Sequence, residues 1–173
     1  MKDTERLAFR TRVLAIMGSL ADADDMQVLK CASELVLKAK APLDAVRVAQ
    51  QAELEANADC LANSAIRRIE AQNKNALARK ASLYLRQTTA IISSWLRDVL
   101  MVCSGTADRI INVDVTDSVA AAAARTDISR VSRALREVED CDRAIAYNVS
   151  PETCIDVLLL NIREVLYDTS SAY

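Results

Sequence analysis

The fold class follows from one stretch of the sequence, residues 126–146, which reads TDISRVSRALREVEDCDRAIA. Its apolar residues recur at three- and four-residue steps: Ile128, Val131, Leu135, Val138, Cys141 and Ile145. A helix with about 3.6 residues per turn places them along one face and the charged residues on the other. Thr126 and Asp127 precede the first apolar residue and predict a helix start. We therefore predict an amphipathic helix that packs against other helices.

The composition of the whole chain is also typical of an all-α protein. Of the 173 residues, 51% are hydrophobic but only 3% are aromatic, and there are two glycines and two prolines. So few turn-forming residues favour long elements, and the shortage of aromatic residues disfavours strands. We predict a helical bundle of about six to seven helices that includes one long polar helix.

Helical patterns continue on both sides of the opening stretch. We expect helices over 4–20, from Asp24 to a break at Pro42, over the polar stretch 43–80, over 83–103 up to Gly105, and over 116–125. The last helix should begin at Ser150-Pro151-Glu152, a hydroxyl cap with a proline in the first turn, and reach Tyr167. Residues 1–82 form the N-terminal helices with a polar arm, and 83–173 form the bundle, within one continuous domain.

Basic residues are concentrated near the middle of the chain. The formal net charge is −2, yet residues 67–86 carry six basic residues and one acidic residue. This segment could face DNA or an acidic partner, and its candidate nucleic-acid contacts are Arg67, Arg68, Lys74, Arg79 and Lys80. The alternative is a solvated helix face, which the absence of aromatic residues from 67–80 favours, because proteins that bind single strands stack bases on aromatic rings.

The inventory of reactive residues argues against catalysis. The chain has no histidine, which excludes Ser-His-Asp and Cys-His arrangements, and its five separated cysteines are expected to be buried thiols rather than zinc ligands. Gly18 and Gly105 do not form a phosphate-binding loop. The acidic residues of the opening stretch lie on its polar face, where we expect them to be solvated: Glu137, Glu139, Asp140 and Asp142. We expect no enzyme activity, cofactor or metal.

Targeting and membrane signals are also absent from the sequence. No stretch approaches the roughly 18 apolar residues that span a bilayer, and the first residues do not resemble a signal peptide. We therefore expect a soluble, cytoplasmic protein without a membrane partner or a small-molecule substrate.

A series of short motifs lies between Ser94 and Leu160. In order they are Trp95-Leu96-Arg97-Asp98-Val99-Leu100, Asn112-Val113-Asp114, Arg133-Ala134-Leu135, Tyr147-Asn148-Val149-Ser150-Pro151 and Val157-Leu158-Leu159-Leu160. This combination resembles the carboxy-terminal domain of the delta prime subunit of the bacterial DNA polymerase III clamp loader. Residues 10–80, with their long polar insertion, look like the larger actinobacterial form.

The resemblance implies an assembly role. In that family the domain is one part of a collar, a ring of helical domains from five subunits that holds the ATPase modules while they place the sliding clamp on primed DNA. Its partners would be the collar domains of the tau or gamma and delta subunits, with only indirect or weak DNA contact, and the parent holoenzyme is a DNA-directed DNA polymerase. Two preceding nucleotide-binding-type modules are expected, and because this chain shows neither, we expect it to be a piece of a longer protein.

The predicted partner interface comprises Trp95, Val157, Leu160 and Tyr167. Trp95 is expected to be an anchor in the core or at an interface, and adjacent Arg97 and Asp98 are expected to brace neighbouring helices. On the last helix, an arc of about 120° serves the core: Ile155, Leu158, Leu159, Ile162, Val165 and Leu166. Val157, Leu160 and Tyr167 form a second strip, to be covered by a neighbouring helix or, as we favour, by an adjoining collar domain.

Overall fold

The computed structural model describes residues 3–57, 62–147 and 150–168. These ranges contain six α-helices and no strand: α1 Asp3–Ser19, α2 Asp25–Ala56, α3 Asn63–Cys103, α4 Thr116–Ala123, α5 Ile128–Ala146 and α6 Pro151–Tyr167. Short 3-10 turns follow α1 at Leu20–Asp22 and connect α3 to α4 at Ala107–Arg109 and Val113–Val115. The predicted all-α bundle is confirmed.

The second half of α3 forms the centre of the bundle. It packs against α1, α2, α4 and α5, while α6 lies between α5 and α2. Its largest fully buried side chains are Leu85, Ile92, Trp95 and Leu96. The apolar stripe of α5 faces this core with Val131, Val138, Cys141 and Ile145 buried, although Ile128 in the first turn is half exposed. The helix that the opening stretch predicts is therefore confirmed, together with its buried face.

Local capping signals explain several helix ends. The Asp127 carboxylate accepts a hydrogen bond of 2.9 Å from the backbone N–H of Arg130, as an N-cap should. Asp24 and Gln27 form a reciprocal capping box at the start of α2. Gly105 adopts a φ of 76° after α3, in the left-handed region that glycine enters without strain. The predicted hydroxyl cap at Ser150 is wrong, because its Oγ instead donates to Glu152 Oε2 at 2.9 Å.

The predicted break at Pro42 is wrong. Pro42 lies inside α2, which continues to Ala56. A proline inside a helix removes one backbone N–H donor, here the partner of the Lys38 carbonyl, but the turns on both sides remain hydrogen-bonded. The other backbone hydrogen bonds of α2 carry the helix past this point, where Ala41, Pro42 and Ala45 line a cavity together with Ala8 and Phe9 of α1.

The polar stretch 43–80 is not one helix but the end of α2 and the start of α3. Buried side chains stop at Ala39 in α2 and begin at Leu85 in α3, so residues 40–56 and 63–84 extend beyond the core. Only residues 57–62 join the helices, which therefore run antiparallel and form a two-helix arm. Leu54, Ala58, Leu61, Ala65 and Ile69 recur at helical spacing in this stretch and predict a thin apolar line. Leu54, Ala65 and Ile69 are half-buried, whereas Ala58 and Leu61 lie outside the described residues.

The arm and the bundle share one helix. At 41 residues α3 is about 62 Å long, and it runs without interruption past the predicted boundary at 82/83. The division between 1–82 and 83–173 thus lies within a helix rather than at a loop, and it stays a prediction.

Two expectations about individual side chains are corrected. The spacing of Leu7, Val13, Leu14 and Met17 in α1 predicts one buried face. Val13, Leu14 and Met17 are buried, but Leu7 is 62% exposed at the edge of a cavity between α1 and α3. Cys141 and Cys154 are buried thiols, and burial raises the pKa of Cys141 to about 12. Cys31 and Cys103 are only partly buried, and Cys60 lies outside the described residues. In the part of the chain that the structure describes, no helix is long and apolar enough to cross a bilayer.

Candidate partner interface and basic arm

An apolar groove lies between α5 and α6. Its volume is about 290 Å³, and it is lined by Glu137, Asp140, Cys141 and Ala144 from α5 and by Thr153, Cys154, Val157, Leu158 and Asn161 from α6. Val157 is 49% exposed beside the buried Cys154 and Leu158. The α6 sequence produces this arrangement because Val157 lies about 100° from Leu158, at the edge of the buried face. Polar side chains of α5 and α6 border the apolar lining.

Two contacts hold the two walls of the groove together. The Asn161 Nδ2 donates to Glu137 Oε2 at 2.7 Å, and the Cys141 thiol donates to the Cys154 carbonyl at 3.6 Å. At the start of α6, Lys40 of α2 forms an ion pair with Glu152. The hydrogen bond from Lys40 lowers the pKa of Glu152 to about 2. The groove is therefore shaped by helices that are fixed to one another and to α2.

The predicted apolar strip on α6 is divided by the fold. Leu160 is half-buried and packs against the chain's own core. The ring of Tyr167 lies 5.4 Å from the Arg125 guanidinium, and burial raises its pKa to about 12. Arg163, on the same side of α6, donates to the Ala23 carbonyl at 2.8 Å. Of the three strip residues, Leu160 and Tyr167 are thus largely covered within the chain, and Val157 is the most exposed.

Trp95 lies in the core. Its side chain is 0% exposed, so it is not available to a partner surface in this structure. The indole Nε1–H has no hydrogen-bond acceptor among the described residues. Trp95 was expected to anchor either the core or an interface. Its position on the most buried face of α3 matches the core.

A buried polar network joins α1, α3 and the loop before α4. Asp98 is 0% exposed and accepts hydrogen bonds from the backbone N–H groups of Ile111 at 3.0 Å and Asn112 at 2.8 Å. The Asn112 amide nitrogen also donates to Asp98 Oδ2 at 2.7 Å and to Ser94 Oγ at 3.0 Å. Asp98 and Asn112, which belong to two separate sequence motifs, are therefore parts of one hydrogen-bond network that braces the loop.

The network continues to the first helix through Arg10. Its guanidinium donates to Asn112 Oδ1 at 2.7 Å and to both carboxylate oxygens of Asp114 at 2.7 and 2.8 Å. The hydrogen bond from Arg10 lowers the pKa of Asp114. The bracing role predicted for Asp98 is confirmed, whereas Arg97 is exposed. Arg10 was missed because nothing in its local sequence indicates a partner about 100 residues away.

The acidic residues of α5 are not simply solvated. Asp142 accepts a hydrogen bond of 2.6 Å from Thr89 Oγ1, and Asp140 pairs with Arg143 on the same helix. Glu137 binds Asn161 across the groove, and Glu139 is exposed. Within the described ranges, no group of three or more Cys, Asp or Glu side chains is placed to hold a metal ion.

All five predicted basic contacts lie on the α3 half of the arm. Arg67, Arg68, Lys74, Arg79 and Lys80 are exposed, and none forms an ion pair with a residue that the structure describes. The groove and the basic residues are on different parts of the molecule, because the groove lies in the bundle and the basic residues lie in the arm.

Comparison with known proteins identifies the family. The family model described as DNA polymerase III, delta subunit, C terminal matches residues 62–164. This range runs from the residue before α3 into the last turn of α6, and it is more than half of the chain. No curated protein and no solved structure matches. The matching family is that of delta, not of delta prime. The chain therefore belongs to the family of carboxy-terminal domains of the DNA polymerase III delta subunit, which are domains of the clamp loader.

Proposed function

We propose that this chain is the collar domain of the delta prime subunit of a bacterial clamp loader, of the larger actinobacterial type. In this proposal it is a cytoplasmic assembly module without catalysis or cofactor. The order of motifs from Trp95 to Leu160 supports delta prime, and the family match supports a clamp-loader domain in general. Its contribution would be one rigid wedge of the five-subunit ring.

The polar brace explains how such a wedge could stay rigid. Asp98, Asn112 and Arg10 tie the connection after α3 to two helices, and buried hydrogen bonds to a carboxylate are costly to break. The α3 to α6 bundle would then present a fixed outer surface. Preorganised surfaces lose little conformational entropy when they bind, which favours stable assembly.

The groove between α5 and α6 is the observation that carries the proposed interface. Protein interfaces combine an apolar centre with a polar rim, and here Val157 and Ala144 line the groove while Asp140 and Asn161 border it. We infer that an apolar side chain of the tau, gamma or delta collar domain enters this groove. Leu160 and Tyr167 would support it from within the chain.

Val157→Glu tests this interface. We expect the variant to keep its helical spectrum, because Val157 is half exposed, and to bind the tau or gamma collar domain roughly tenfold more weakly or worse. The matched control is Val48→Glu, the same substitution at a 66% exposed position on the arm. Leu160→Glu is the contrasting core variant, and it should lower stability instead.

Co-elution on a sizing column and calorimetric titration provide the readouts. Equal binding by wild-type protein, Val157→Glu and Val48→Glu would remove the groove from the interface. If Val157→Glu unfolds the chain, Val157→Ser replaces it, because a small polar side chain leaves the helix intact while removing most of the apolar contact.

A further inference from the structure

The basic residues of α3 form a stripe along the outer side of the arm that ends at Arg86, at the start of the bundle. Successive residues turn by about 100°, which places Arg67, Arg68, Lys74, Arg79 and Arg86 within an arc of about 140°. The half-buried residues that face α2 lie on the opposite side of the helix, and they include Ile66, Ile69, Asn73 and Leu77. Lys80 is exposed but lies outside this arc. We call the five residues within the arc the basic stripe.

The basic stripe is long and of one sign. From Arg67 to Arg86 the helix rises about 28 Å, which equals the length of roughly eight base pairs of DNA. The one acidic residue in this range, Glu70, lies outside the arc. Some basic side chains elsewhere pair with a carboxylate of another element, as in Arg10 with Asp114 and Arg12 with Glu34. No residue of the basic stripe has such a partner among the described residues.

The residues between the cations indicate what kind of ligand the stripe fits. On the same face lie Ser64, Ala71, Asn75, Ala78 and Ser82, all of them small or polar. A protein partner would need large apolar or aromatic anchors, and a single-stranded nucleic acid would need aromatic stacking platforms, and this face offers neither. Phosphates along a duplex need only regularly spaced cations with room to approach them.

We propose that the basic stripe binds the phosphate backbone of double-stranded DNA without reading its sequence. The binding is electrostatic, because each cation that neutralises a phosphate releases a condensed counterion. This inference does not depend on the assembly role, since four of the five stripe residues lie on the arm and the groove lies between α5 and α6. DNA held along the arm would lie outside the ring-forming surface that contains Val157.

The test is salt-dependent binding of a labelled duplex of about 24 base pairs, measured by fluorescence anisotropy between about 50 and 200 mM salt. Five phosphate contacts predict a slope of log affinity against log salt near −4.5, or roughly a 500-fold loss across this range. The test variant combines Arg67→Gln, Arg68→Gln, Lys74→Gln and Arg79→Gln. The matched control combines Arg6→Gln, Lys30→Gln, Arg109→Gln and Arg136→Gln, which change the net charge equally at exposed positions.

The test variant should lose most of the affinity and flatten the slope to about −1, while the control keeps a slope close to that of the wild-type protein. Equal weakening by both variants would assign the binding to net charge and overturn the proposal. So would a wild-type slope shallower than about −2, or stronger competition by poly-glutamate or a single strand than by unlabelled duplex. Binding of the tau or gamma collar domain should be the same in all three proteins.

Discussion

Replacing Asp98 by alanine should strongly destabilise the chain. The carboxylate is fully buried and accepts three hydrogen bonds, two from backbone N–H groups and one from the Asn112 amide. Alanine leaves these donors without an acceptor, and each unsatisfied buried donor costs about 1–3 kcal/mol. Because water can reach the partly buried Ile111 amide, we expect a total of about 3–5 kcal/mol. That is a large share of the roughly 5–15 kcal/mol that stabilises a typical domain.

Urea unfolding followed by circular dichroism measures this loss. Asp98→Asn keeps the shape but turns one acceptor into a donor, so it should cost less than alanine, about 1–3 kcal/mol. Asp114→Ala is the control at the exposed end of the same network, where loss of its ion pair with Arg10 should cost less than about 1 kcal/mol. If Asp98→Ala costs no more than Asp114→Ala, the network does not brace the loop and the reasoning fails.

Three further predictions test other contacts. The pKa of Glu152 is lowered from 4.5 to about 2, so its ion pair with Lys40 stabilises the folded state above pH 4.5, and this stability is lost as the pH falls towards 2. Lys40→Gln should therefore flatten the acid-denaturation curve between these two pH values. The control Lys30→Gln should not change it. Pro42→Ala should raise the free energy of unfolding by up to about 3 kcal/mol, since it restores the N–H partner of the Lys38 carbonyl. If urea unfolding shows no increase in this free energy, α2 is not continuous through residue 42. A variant that retains only Cys141 should react with a thiol reagent much more slowly than one that retains only the partly buried Cys31, and equal rates would contradict the burial of Cys141.

The sequence alone predicted the helix and the helix ends that depend only on neighbouring residues. The stripe of α5, the Asp127 cap and the glycine after α3 each depend on residues within one or two turns. The path of the chain through Pro42 was not predictable in this way. There α2 continues from its buried part, which ends at Ala39, to Ala56, so the tertiary structure outweighs the local preference of proline to end a helix.

The sequence predicted which residues belong to the candidate sites, but not which of them share a surface in the fold. Helical geometry grouped Val157, Leu160 and Tyr167. The sequence does not show that Arg125, held by Ala21 and Asp22 of the turn after α1, lies against Tyr167, or that Val157 stays exposed. The Asp98 and Asn112 motifs were visible, whereas Arg10 joins them across about 100 residues of sequence. The basic stripe needed the fold of the arm, because a hairpin fixes which side of α3 faces away from α2.

The central claim is that this chain is a delta prime collar domain, and native mass spectrometry of rebuilt collar rings tests it most directly. The chain would be mixed with tau or gamma collar domains and delta in one sample, and with tau or gamma collar domains and delta prime in the other. We predict that one copy of the chain completes the ring that lacks delta prime and does not enter the ring that lacks delta. Completion of the ring that lacks delta would assign the chain to the delta subunit instead, and failure to join either ring while folded would contradict the assembly role altogether.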